Sequence, residues 1–295
     1  MGKHFSGRFR KQDDHSEWRR PRDDAQPEAA QPKPSRRRRD AVAPEPASAP
    51  AAARARVVPT GPILSADALV VTYPGRAGVT ALKGVSLLLE SGDFVALMGP
   101  SGSGKTTLLG VLSGLDRPER GRVHWYGTPM DELGPAEHRE LRRSSIGVVF
   151  QSFGLLPTLS ALENVELPLR VAGVTVDHAE REATRLLQRL GLGDRLENRT
   201  FELSAGQQQR VAVARALVTN PVVVLADEPI AEVDTENADL ILDALADVSR
   251  RGGAVLAATH NPAVLSYAGR VVLLRDGAVE ATGTPQEMSG LISTD

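Results

Sequence analysis

The run Phe94-Val95-Ala96-Leu97-Met98-Gly99-Pro100-Ser101-Gly102-Ser103-Gly104-Lys105-Thr106 decides how this chain is read. Five apolar residues of strand length lead into a glycine-rich turn that fits G-x-x-x-x-G-K-[ST], a spacing that cradles phosphate when it links a strand to a helix. Glycines let successive backbone amides turn toward phosphate oxygens, and a helix opening near Lys105 adds the positive end of its dipole. In that pattern Lys105 reaches the β- and γ-phosphates and the Thr106 hydroxyl takes Mg²⁺. The alternative is a chance glycine turn with a stray lysine, and the strand before it argues against that.

Outward from this loop the chain alternates strands and helices. Residues 146–150, 222–226, 254–258 and 270–274 are further mostly apolar runs of strand length, the pattern of buried parallel strands. Between them lies a helix predicted over Asp177 to Leu190, where Ala179, Ala183, Leu186, Leu187 and Leu190 recur at helical spacing. The fold class is therefore α/β. Residues 152–205 interrupt the strand rhythm and read as a helical insertion.

The run Val222 to Ala226 ends in Asp227-Glu228, two acids at the carboxyl end of a strand, where ligands of open α/β sheets bind. Alone, such a pair is usually a solvated strand end. Beside a phosphate loop it reads as machinery, with Asp227 on Mg²⁺ and Glu228 orienting or deprotonating the water that attacks the γ-phosphate.

Leu203-Ser204-Ala205-Gly206-Gln207-Gln208-Gln209-Arg210 then makes the sequence resemble the nucleotide-binding subunits of ABC transporters. Ser204 is also a good N-cap for the helix through Val211, Ala214 and Leu217, which makes a second anion-attracting helix end. The segment Ala81-Leu82-Lys83-Gly84-Val85-Ser86 and the triple glutamine are similar to the group that serves lipoprotein release, macrolide export and cell division. The likeness spans about residues 63 to 285. It implies a P-loop NTPase, RecA-like core with a mainly parallel sheet, an antiparallel β region near the N-terminus and an α-helical subdomain at about 152–205. It also implies head-to-tail pairing, so that ATP and Mg²⁺ lie between the loop Gly99 to Thr107 of one domain and Ser204, Gly206 and Gln207 of the other.

Further positions follow from the resemblance one at a time. Tyr73 stacks on adenine, Gln151 contacts Mg²⁺ or water and links the site to a membrane partner, Asp234 touches the opposite subunit, and His260 meets the γ-phosphate. The implied catalytic set is Glu228, His260, Gln151 and Lys105, and the metal set is Thr106, Gln151 and Asp227. Two departures stand out. Ala205 replaces the more frequent first glycine of the signature, and Ile230-Ala231-Glu232 stands where the related group usually has threonine, glycine and asparagine, so Glu232 brings a negative charge near the expected dimer seam.

Composition bounds the rest. The 295 residues contain no cysteine, which removes disulfides, thiolate nucleophiles and zinc–thiolate sites. Residues 1–60 hold 14 Lys+Arg against 8 Asp+Glu, with the run Arg36 to Arg39 and a Pro/Ala stretch, so they read as a disordered basic tail able to contact anionic lipid. Residues 61–288 form the expected ATPase domain and 289–295 a short end. No stretch reads as a membrane span: residues 252–269 lack Asp, Glu, Lys and Arg but are broken by Gly252-Gly253 and Asn261-Pro262. The expectation is an ATP-hydrolysing subunit on the cytoplasmic face of a membrane, paired with a like domain and an integral-membrane permease, with no nucleic-acid partner. A non-transport ATPase of the same superfamily and a weakly hydrolysing regulator are the alternatives.

Overall fold

The computed structural model describes residues 61–74 and 78–292. The expected tail at 1–60, with its lipid contact, lies outside the described residues.

Two sheets carry the fold. The larger contains β3 (Phe94–Met98), β6 (Ile146–Val149), β7 (Val223–Asp227), β8 (Ala254–Ala258), β9 (Arg270–Arg275) and β10 (Ala278–Gly283). Its order is β10-β9-β3-β8-β7-β6, parallel throughout except for the β9–β10 hairpin at one edge. The smaller is antiparallel, in the order β2-β1-β4-β5, and contains β1 (Leu64–Tyr73), β2 (Val79–Leu89), β4 (Arg120–Trp125) and the two-residue β5 (Thr128–Pro129).

Every residue of β3, β7 and β8 is buried, which is why these strands read as unbroken apolar runs rather than alternating ones. Within the runs the pleat still sorts side chains. Phe94, Ala96 and Met98 enter one core with Val224, Ala226, Val255 and Ala257, while Val95 and Leu97 enter a second with Val223, Leu225, Leu256 and the buried face of β1 and β2. Each fully buried Val, Leu or Phe contributes about 1.5–3 kcal/mol, so both faces of the sheet are held strongly.

The helices cover these faces. They are α1 (Lys105–Leu112), α2 (Pro135–Ser144), α3 (Ala161–Val171), α4 (Val176–Arg189), α5 (Ala205–Leu217), α6 (Thr235–Arg250) and α7 (Pro285–Ile292). The helical insertion is α3 and α4, packed on each other and on α5. In α4 the buried residues are Ala179, Ala183 and Leu187, one row at i, i+4 spacing. Ser160 caps α3, accepting from the Glu163 amide while the Glu163 carboxylate accepts from the Ser160 amide.

α5 binds the insertion to the core. Arg210 donates to Leu190 O at 2.9 Å, and Arg215 donates to Phe153 O at 2.8 Å and Gly154 O at 2.6 Å. At the far end, α7 crosses the boundary expected at residue 288. Thr284 and Glu287 cap its start, and Met288 is buried in the core.

Candidate functional site

β9, β3, β8, β7 and β6 are neighbours in that order, so the segments leaving β3, β8, β7 and β6 emerge along one carboxyl edge. These segments are the loop 99–104, Thr259-His260, Glu228 and Phe150-Gln151. One edge thus gathers residues that lie far apart in the chain.

Close approach explains the glycines of the loop. Gly99 has φ +145°, and a Cβ there would sit 2.0 Å from Leu274 O; Gly104 has φ +104°, and its Cβ would sit 2.5 Å from Ala81 O. The loop is wedged between β9 and β2 with room for backbone only. The Gly277 amide pins it further by donating to Ser103 O at 3.0 Å. Gly104 is the N-cap of α1 and supplies no side chain, so the first turn of α1 has no side-chain cap and keeps its amide end available to an anion. Ser101 and Gly102 are exposed on the loop. Ser103 is only 3% exposed, and its buried hydroxyl has no hydrogen-bond partner among the described residues.

Lys105 is buried and folds back on its own loop, donating to Gly99 O at 2.7 Å and Pro100 O at 3.0 Å. Burial lowers its pKa, and the charges of Glu228 and Asp227 oppose the shift. Thr106 donates to Asp227 Oδ2 at 2.6 Å, so a hydroxyl and a carboxylate oxygen 121 positions apart share one spot. Burial raises the Asp227 pKa; the Thr106 hydrogen bond opposes this, the Glu228 charge adds to it, and the Lys105 charge lowers it. Hard oxygen donors of this kind suit Mg²⁺, and the pair fits the metal role expected of both residues.

Glu228 follows β7 with φ +47°, a left-handed conformation unusual for a non-glycine residue. Its amide donates to Ala258 O at 2.8 Å, which turns the carboxylate back toward the end of β8. There Oε1 lies 2.7 Å from His260 Nδ1, and Oε2 accepts from the Thr259 hydroxyl at 2.8 Å. Tyr73, 44% exposed, ends β1 with its hydroxyl 3.4 Å from Thr107 Oγ1, so an aromatic side chain stands beside the start of α1. Gln151 is exposed in the turn after β6.

The Ser204 segment is built differently. Ser204 Oγ accepts from the Gln207 amide at 3.3 Å and the Ser204 amide donates to Gln207 Oε1 at 2.9 Å, a reciprocal capping box that opens α5. Gly206 packs against the loop after β7: a Cβ there would sit 2.8 Å from Glu232 O. Ile230 is buried in the core, whereas the Glu232 side chain is exposed, so the residues that depart from the related pattern divide between interior and solvent. Asp234 caps α6 by accepting from the Asn237 amide at 2.9 Å, and that bond together with the Asn237 side-chain amide holds its pKa below the ordinary value.

The structure thus brings Lys105, Thr106, Asp227, Glu228 and His260 together at one edge, adds Tyr73 beside α1, and sets Ser204, Gly206 and Gln207 on a separate helix start. Sequence reasoning passed over the residues that hold these groups. Thr259 and Asn237 are single polar residues at element ends, and the carbonyls of Ala81 and Leu274 leave no trace in side-chain chemistry.

Residues 82–231 match the family described as ABC transporter. The lipoprotein-releasing system ATP-binding protein LolD of Geobacter metallireducens is 46% identical over 208 residues, 70% of this chain and 92% of that protein. The macrolide export ATP-binding/permease protein MacB of Syntrophobacter fumaroxidans is 45% identical over 209 residues, 70% of this chain but only 29% of that longer relative. A solved dimeric ATP-binding cassette in a post-hydrolysis state, bound to ADP and Pi, superposes with a TM-score of 0.71 at 38% identity, covering 75% of this chain and 98% of that one. The chain belongs to the ABC transporter family, as an ATP-binding and ATP-hydrolysing cassette. No helix among the described residues is long and apolar enough to cross a membrane.

Proposed function

We propose that two copies of this cassette, or this cassette and a like partner, close around Mg-ATP and drive an integral-membrane permease of export or mechanical-transmission type. The observation that carries this reading is the division of the site: a phosphate loop with its acids along one sheet edge, and a capped helix end at Ser204 that leaves its polar face outward. The dimeric cassette bound to ADP and Pi, and the permease in the MacB relative's name, support it.

Each residue then has a task. Amides of the loop 99–104 and of the first turn of α1 hold phosphate oxygens, with the buried Ser103 hydroxyl as a further donor. Lys105 exchanges its two carbonyl partners for the β- and γ-phosphates. Thr106 and Asp227 hold Mg²⁺ together with Gln151, and the ion neutralises phosphate charge when bound. Tyr73 stacks on the adenine ring. Water attacks the γ-phosphorus with Glu228 as base: the new P–O bond forms, the bridge to the β-phosphate breaks, ADP leaves with the bond's electron pair, and the water's proton passes to the Glu228 carboxylate. His260 donates to the γ-phosphate. Ser204, Gly206 and Gln207 of the partner close the far side, and Asp234 lies at the seam.

The permease contact falls on the groove of ≈ 770 Å³ between α2, α3 and the β6 edge of the core sheet, lined by Phe150, the residue before Gln151. It exposes Leu115, Phe150 and Val171, apolar side chains that a cytoplasmic segment of the permease would cover. The protein then sits at the cytoplasmic face of a membrane, with residues 1–60 adding a contact to anionic lipid; deletion of residues 1–56 with unchanged vesicle binding would remove that contribution. The reading as a whole is tested by isolating the Glu228→Gln protein from native membranes in Mg-ATP and identifying its companions by mass spectrometry. A polytopic membrane protein is expected. Recovery of ribosomal or DNA-maintenance proteins with no membrane subunit would overturn the transport role.

A further inference from the structure

Thr259 is fully buried at the end of β8, after five apolar residues. A hydroxyl in such a place costs stability unless it is bonded, and valine would fill the same volume without that cost. Here both bonding capacities of the hydroxyl are used. Oγ1 accepts from the Asn261 amide at 3.0 Å and lies 2.8 Å from Glu228 Oε2. Because the amide supplies the proton in the first bond, the hydroxyl's own proton is left for the carboxylate. The Thr259 backbone is anchored as well, its amide donating to Leu97 O at 3.1 Å beyond the last β3–β8 pair.

Glu228 is thereby tied to the end of β8 at three points: its amide on Ala258 O, Oε2 on Thr259 and Oε1 against His260. Its side chain is only 10% exposed, whereas that of His260 is 74% exposed. Oε2 therefore points into a closed contact, and Oε1 is the oxygen on the open side.

We infer that Thr259 is the positioning residue of Glu228, fixing the carboxylate through Oε2 so that Oε1, beside His260, is the oxygen that receives the proton of the attacking water. This rests on Glu228 being the base. Thr259 does not touch the reacting atoms; it selects which carboxylate oxygen meets them and keeps the strained left-handed Glu228 in a single orientation.

The test compares steady-state ATP hydrolysis by the full chain carrying Thr259→Val, Thr259→Ser or Glu228→Gln, with nucleotide affinity and Tm measured on each. A hydrogen bond to a charged group is worth about 10- to 100-fold in rate. Thr259→Val is expected to lower kcat by that factor while KM for ATP changes by less than about threefold, and Thr259→Ser, which keeps the hydroxyl, should restore kcat to within about threefold of wild type. Thr259→Ala removes the same donor and gives the same reading if the valine chain does not fold. Wild-type kcat in a folded Thr259→Val or Thr259→Ala chain, with Glu228→Gln inactive, would overturn the role of Thr259 alone. Substantial turnover by Glu228→Gln would overturn the base assignment beneath it. Equal loss in Thr259→Val and Thr259→Ser would show that packing rather than the hydroxyl matters, and would also overturn the inference.

Discussion

The carboxyl edge of the core sheet and the start of α5 both offer a helix end to an anion, yet they are built in opposite ways. At the sheet edge Lys105, Asp227 and Glu228 are buried; Lys105 is bonded to its own loop, while Asp227 and Glu228 are bonded to distant segments of the chain. At the start of α5, Ser204 is exposed and its cap is purely local, closed by Gln207 three residues on. The first region is completed by the fold and the second is left facing out. Under the proposed pairing, a site assembled from one region of each kind takes two domains, and closure of the pair would govern access to hydrolysis.

Substitutions on the two sides should separate accordingly. The largest effect belongs to Glu228→Gln, which keeps the shape and the hydrogen-bonding oxygen but cannot take a proton. Turnover should fall by about 10²- to 10⁴-fold while ATP still binds, and the closed dimer should accumulate on size-exclusion chromatography in Mg-ATP. Wild-type turnover in that variant would break the contrast at its centre. Next comes Lys105→Ala: loss of a charge-assisted contact to phosphate should weaken nucleotide binding by about 10- to 100-fold in a titration with fluorescent ATP, because the monomer already contains this half.

Ser204→Ala should behave differently. Losing the cap costs about 1 kcal/mol of stability, visible as a small fall in Tm, and monomer affinity for ATP should stay unchanged while dimer formation and hydrolysis drop. A matching loss of monomer affinity would place the α5 start in the same half-site as Lys105 and erase the distinction. The smallest effect is expected from Glu232→Gln. The side chain is exposed within one chain, so removing its charge should raise dimerisation and ATPase rate by no more than about threefold, and the gain should shrink as salt is increased.

The two regions also differ in how far a reading of the residues reaches. The phosphate loop was legible because its chemistry is local: a strand, a glycine turn, a lysine and a hydroxyl in consecutive positions. The Ser204 cap was legible for the same reason, since its partner stands three residues away. The pairing of Thr106 with Asp227 spans 121 positions, and that of Glu228 with Thr259 spans 31. Periodicity does not reveal such pairs. They follow from β8 lying between β3 and β7.

The same division runs through the fold. The unbroken apolar runs of β3, β7 and β8 show by themselves that these strands are buried, because a strand with a wet face would alternate. Which side chains enter which core is a tertiary matter, as the split of Phe94, Ala96 and Met98 from Val95 and Leu97 shows. The C-terminal boundary divides in the same way: the Thr284–Glu287 cap that opens α7 is local, whereas the burial of Met288 in the core is a tertiary matter.

By itself, then, the amino-acid sequence determined the α/β class, the phosphate-binding loop, the acids at the end of β7 and the second capped helix end, since each is written in neighbouring residues and in the chemistry of their side chains. Only the tertiary structure decided the left-handed turn of Glu228, the orientation of its carboxylate by Thr259 and His260, and the wedging of Gly99 and Gly104 against the carbonyls of Leu274 and Ala81. Those features depend on strand order and on close approach of backbone to backbone, and a residue's type carries no record of a partner that chain topology alone brings within reach.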